Sequence, residues 1–147
     1  MDTSVTTKLQ IRKPAKEVFK AIVDPEEIGN YWFSTSSERW EQGRAIILRY
    51  DEYNAEGTIN VLEVQENKEI VFSWGAESGG ETVVTITLKE VEPTITVIEV
   101  KEVGLNENDS EIVNKMLGQK EGWVYTLTCL KAYLENDINT LRASLVH

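Results

Sequence analysis

Apolar residues along the chain follow two periods, and the switches between them divide it into elements. In "VTTKLQIRK", Val5, Leu9 and Ile11 punctuate polar residues, which predicts an antiparallel strand with one buried face. "KPAKEVFKAIVD" changes to helical spacing: Val18, Phe19, Ile22 and Val23 form one stripe, and Pro14 suits a first turn. "DPEEIGNYWF" predicts a second short helix, capped by Asp24 and opened by Pro25. Glu26 and Glu27 favour its N-terminal dipole, and Gly29 and Asn30 end it. A polar loop, "STSSERWEQG", then carries Trp40. Period two returns in "RAIILRY", "EGTINVLEVQ", "EIVFSWG", "ETVVTITLKEV" and "TITVIEVKEV", rich in Val, Ile and Thr, which predicts five more strands. Their short separators, "DEYNAEG", "ENK", "AESGG" and "EP", predict hairpins and a meander.

The last third, "GLNENDSEIVNKMLGQKEGWVYTLTCLKAYLEN", predicts a long helix, with Asn108 and Glu111 spaced as a capping box. Ile112, Met116, Trp123, Leu127, Leu130 and Leu134 fall within about 60° of one another at about 100° per residue. Ile138, Leu141 and Leu145 continue the spacing, so the helix extends past Asn136 or restarts after a break. The order predicts an α+β fold. A curved antiparallel sheet of about six strands has one face covered by the long helix, and the two short helices close an end. Without a linker or repeat, residues 1–147 read as one domain.

Charge narrows the partners. The net charge is −10, with 15 basic against 25 acidic residues and no basic cluster, which argues against a nucleic-acid role. An acidic face docking on a basic protein partner remains open. No apolar run approaches the length of a membrane span, and "MDTSVTTKLQ" does not read as a signal peptide, so a cytoplasmic location is expected. Cys129 is the single cysteine, and reads as a small buried thiol. His147 is the single histidine and terminal, which argues against a histidine triad or a zinc site. "SGGE" lies in a hairpin rather than before a helix, and "NDSE" lacks the spacing of a calcium loop. No metal or cofactor is expected.

The candidate chemistry centres on "GQKEGWVYTL". Gly118 and Gly122 stack at i and i+4 beside Trp123, each costing about 1 kcal/mol in a helix. Burying the indole is worth up to about 5 kcal/mol, so the helix can carry both. Two readings follow: the glycines let a neighbouring element approach, or they leave a cavity beside the indole. Gln119 and Lys120 lie near the edge of the apolar stripe, where a water-filled mouth would solvate them. Lys120 running along the surface explains its own placement equally well. Trp32 and Trp40 flank a loop expected at the cavity entrance, and Trp74 ends a strand. Tyr50 follows Ile46 and Leu48 by alternation and is expected to face inward. Glu102 shares a face with Ile98 and Val100 if the alternation holds, and otherwise stands in water at the strand end.

These segments, together with "KPAKEVFKAIVDPEEIGNYW", "EGTINVLEVQENKEIVFSWG" and "GWVYTLTCLKAYLE", resemble the SRPBCC (START-like, Bet v 1-like) superfamily over roughly Thr6 to Glu135. The most similar branch is that of the C-terminal domain of the heat-shock-protein-90 ATPase activator. The resemblance implies a helix-grip fold, with a bent sheet wrapped around the C-terminal helix and a cavity between them. Relatives hold lipids, sterols, plant hormones or polyketide-like compounds there, and a few catalyse reactions. It places Trp32, Trp74 and Trp123 at matching positions. It also sets Glu102, within "KEVGL", where members often carry a histidine, exchanging an imidazole for a carboxylate.

The reading this supports is non-enzymatic binding of a small apolar or aromatic molecule. Trp32, Trp40, Tyr50, Trp74, Trp123 and Leu127 line the expected cavity, with Met116 beside them and Glu102 or Lys120 orienting a polar group. A protein-interaction module resembling the chaperone activator is the alternative. Proton transfer by Glu102 comes third.

Overall fold

The computed structural model describes residues 1–76 and 80–146; His147 and the middle of the "AESGG" separator lie outside the described residues. Seven strands form one antiparallel sheet: β1 (Val5–Ile11), β2 (Thr35–Ser36), β3 (Ala45–Tyr50), β4 (Ala55–Gln65), β5 (Glu69–Trp74), β6 (Thr82–Glu92) and β7 (Ile95–Val103). Their order across the sheet is β1-β7-β6-β5-β4-β3-β2, so β3 to β7 are the expected meander and β1 closes on β7. The strand beyond the expected six is β2, two residues paired to Arg49 and Leu48 of β3. Register shifts at Val61/Glu63 and Glu90/Glu92 mark bulges in β4 and β6, the usual device for bending a sheet.

Helices α1 (Ala15–Val23) and α2 (Pro25–Ile28) follow β1. Asp24 caps α2 as expected, its carboxylate accepting from the Glu26 N–H at 2.9 Å. Gly29 ends α2 because the chain doubles back closely there: a Cβ would meet the Ser34 carbonyl oxygen at 2.9 Å.

Helix α3 (Ile112–Asn136) begins later than the Asn108–Glu111 spacing predicts. The polar run satisfies itself locally instead. Asn106 Oδ1 accepts from the Asn108 N–H, and Asp109 Oδ1 from the Glu111 N–H. At the other end, Asp137 takes the left-handed conformation (φ 54°) and stops the helix, so residues 137–146 form a non-helical strap rather than an extension.

Helix α3 leans on edge strand β1. Lys120 Nζ donates to the Thr6 carbonyl, and Lys131 Nζ to the Gln10 carbonyl at 2.7 Å, covering the free edge of the strand. The main-chain N–H of Arg12 donates to Glu135 at 2.8 Å. Leaning to one edge leaves a wedge between α3 and strands β3 and β4, and the candidate site occupies that wedge.

Candidate functional site

Glu102 organises the site. The alternation Thr96, Ile98, Val100, Glu102 holds to the end of β7, and Glu102 is 1% exposed rather than standing in water. Trp123 Nε1 (2.9 Å) and Gln119 Nε2 (2.9 Å) donate to its Oε1. Trp74 Nε1 (2.9 Å), the Thr82 hydroxyl (2.6 Å) and, more weakly, Gln119 Nε2 (3.2 Å) donate to its Oε2. Indole N–H groups can only donate, so the buried Trp123 and the half-buried Trp74 each need an acceptor, and one carboxylate supplies it for both. The bridge fixes Trp74 and Trp123 as a stacked pair, ring centroids 5.5 Å apart at 27°. Trp32 meets Trp123 edge-on at 5.4 Å, Trp74 edge-on at 6.3 Å and Trp40, tilted, at 6.0 Å, so all four tryptophans form one aromatic cluster, of which Trp32, Trp74 and Trp123 make the wall of the cavities. Gly104, two residues after Glu102, holds φ +108° and turns the chain out of β7, where a side chain would be strained.

Two open cavities meet at this wall and share Phe33, Trp74 and Gln119. The larger, about 800 Å³, is bordered by Leu48 and Ile59, Gly57, Thr82, Glu102 and Lys115. The smaller, about 430 Å³, is bordered by Trp32, Tyr50, Trp123 and Thr126, and by both helix glycines. A Cβ placed on Gly118 or on Gly122 would find no atom within 4 Å outside its own helix. Close approach by a neighbouring element is therefore not what these glycines serve. They border open space.

The strap covers the smaller cavity. Ala143 and Leu145 lie on its wall. Arg142 donates from Nε to the Trp32 carbonyl at 2.7 Å, pairs with Glu52, and places its guanidinium 5.4 Å over the Tyr50 ring. The Tyr125 hydroxyl donates to the Leu141 carbonyl. Arg142 holds the Glu52 carboxyl down at about 2, and burial pushes the Tyr50 phenol up to about 12.

Of the residues singled out in the sequence, Trp32, Tyr50, Trp74, Glu102 and Trp123 come together here. Four do not. Trp40 is core: its main-chain N–H donates to the Val23 carbonyl, its indole donates to Ser36 at 3.3 Å, and it packs on Phe72. The loop after β2 folds back against the end of α1 instead of framing an entrance. Met116, Lys120 and Leu127 line neither cavity. Lys120 belongs to the β1 edge, Leu127 is buried in the core, and Met116 is half-buried. Sequence reasoning did not place Thr82 or Gln119 at the site. Gln119 carried a signal, a polar residue beside the stripe, and Thr82 carried none.

Comparison with solved structures places this fold among relatives. The protein SSP2350 from Staphylococcus saprophyticus is 48% identical and superposes with a TM-score of 0.81, over 92% of this chain and 94% of that one. Two more distant structures share the fold. The Aha1 dimer from Colwellia psychrerythraea is 18% identical with a TM-score of 0.77, covering 90% of this chain and 96% of that one. CalU16 from Micromonospora echinospora is 18% identical with a TM-score of 0.73, covering 94% and 80%. No curated protein matches the chain. The family model described as activator of Hsp90 ATPase homolog 1-like protein matches residues 12–135, and the chain belongs to that family, within the SRPBCC superfamily.

Proposed function

We propose that the protein binds a small apolar or aromatic molecule, without chemistry, in the cavities beside α3. One observation carries the reading: Gly118 and Gly122 weaken the helix by about 1 kcal/mol each and receive no packing contact in return, because they border space next to Trp123. Cavity volumes of about 430 and 800 Å³ fall in the range of small-molecule sites. Proton transfer by Glu102 is less well supported, since both its oxygens are already occupied by side-chain donors. An interaction module rests on the family description and on the acidic balance of the chain.

The test is a fluorescence titration with N-phenyl-1-naphthylamine, alongside native mass spectrometry of protein purified without denaturation. Saturable probe emission, or a co-purifying small mass that the probe displaces, is expected. A flat titration and a bare polypeptide mass would count against the cavity as a binding site.

A further inference from the structure

The ligand class can be narrowed from the way Glu102 fixes its neighbour, an inference that rests on the binding role proposed above. Both oxygens of Glu102 receive side-chain donors, and Gln119 reaches them through its amide nitrogen at 2.9 and 3.2 Å. The reverse orientation would set the amide oxygen against carboxylate oxygens, so the carboxylate decides which way the amide points. The Gln119 Oε1 is then turned from Glu102 and accepts no hydrogen bond from the described residues, on a side chain that borders both cavities. An acceptor held in place beside stacked indoles and open to a cavity can take a donor from a ligand in place of water.

Charge at the walls points the same way. Glu56, Glu102, Asp109 and Lys115 are the ionisable groups bordering the larger cavity; Glu56 is paired to Arg49 and Asp109 to Lys115, which leaves Glu102, among the described residues, as the carboxylate with no cation beside it. Lys115 is paired to Asp109, and Arg142, near the smaller cavity, is paired to Glu52. No unpaired cation borders either cavity among the described residues, so a ligand carboxylate or phosphate would enter without a partner, against like charge.

We infer that Gln119 is the specificity-determining residue of the site, and that the ligand is an uncharged aromatic compound presenting an O–H or N–H donor to its Oε1. Glu102 is the positioning residue that holds this acceptor outward. Anionic ligands of the fatty-acid type are rejected.

Three probes of one shape separate the possibilities: 2-naphthol, 2-methoxynaphthalene and 2-naphthoate, titrated at neutral pH against the wild type and Gln119→Met by tryptophan emission. In the wild type, 2-naphthol is expected to bind about five- to tenfold more tightly than 2-methoxynaphthalene, the ordinary worth of one hydrogen bond, with 2-naphthoate weakest. In Gln119→Met the naphthol preference disappears, while 2-methoxynaphthalene binds within about twofold of wild type, because the removed bond was never made to it. Equal binding of the two neutral probes by the wild type, or equal weakening of both in Gln119→Met, would overturn the role of Gln119 and leave the cavity intact. Tightest binding of 2-naphthoate would overturn the charge argument. Failure of all three, with N-phenyl-1-naphthylamine also inert, would remove the binding reading and this inference with it.

Discussion

The two flanks of α3 are built on opposite terms. One flank faces β1 and is closed: Leu127 is buried, and Lys120 and Lys131 reach across to the carbonyls of the edge strand. The other carries Gly118, Gln119, Gly122 and Trp123 and faces the cavities. A helix that packed equally on both sides would gain more apolar burial and lose the cleft. The glycines mark the open flank by what they lack: around Gly118 and Gly122 no neighbour outside α3 comes within contact distance of a Cβ position.

The closed flank should be the more fragile to truncation. Leu127→Ala is expected to lose about 2–5 kcal/mol of stability in urea unfolding, as deletions in packed cores do, while the folded fraction binds N-phenyl-1-naphthylamine as wild type does. Between the flanks stands Glu102. Glu102→Gln presents a donor where two indoles need acceptors, with an expected loss of about 1–3 kcal/mol and a changed near-UV circular dichroism from the Trp74–Trp123 pair. On the open flank the sign reverses. Gly118→Ala is expected to stabilise the protein by about 0.5–1 kcal/mol, since nothing obstructs the added methyl group.

The smallest effect concerns the strap over the smaller cavity. The Glu52 carboxyl, ordinarily near 4.5, is held at about 2 by Arg142. A depressed folded-state value means its contribution is present above about 4.5 and is lost as pH falls towards 2. Hydrogen-exchange protection factors of residues 137–146, taken against the intrinsic rate at each pH, are therefore expected to fall over that interval, and Glu52→Gln to flatten the dependence. The Glu52 carboxylate stands at the surface while the Arg142 side chain is largely covered, so salt should weaken the effect only in part.

Much of this was legible in the sequence, and the limits have physical causes. Alternation gave β1 and β3 to β7 because each strand buries one face. β2 escaped because Thr35 and Ser36 are polar and too few to show a period. The strap was misread because Ile138 and Leu141 keep helical spacing, although the left-handed Asp137 redirects the chain and leaves both exposed. The site was half legible. At about 100° per residue, Gly118, Gly122 and Gln119 fall near 240°, 280° and 340° when Ile112 is set at zero. Met116, Leu127 and Lys120 fall near 40°, 60° and 80°, on the opposite flank. The wheel therefore separated the open side from the closed one, but it could not say which side met β1. Nor could it bring Thr82 to Glu102, a contact that depends on the pairing of β6 with β7.

On the binding role proposed above, the notch in α3 is kept open for a ligand at the expense of stability. The most direct test is Gly122→Leu, followed by urea unfolding and by titration with N-phenyl-1-naphthylamine on the same preparation. The variant is expected to be as stable as wild type or more so, by up to about 1 kcal/mol, and no longer to bind the probe. A variant that loses stability while still binding the probe as wild type does would contradict that role.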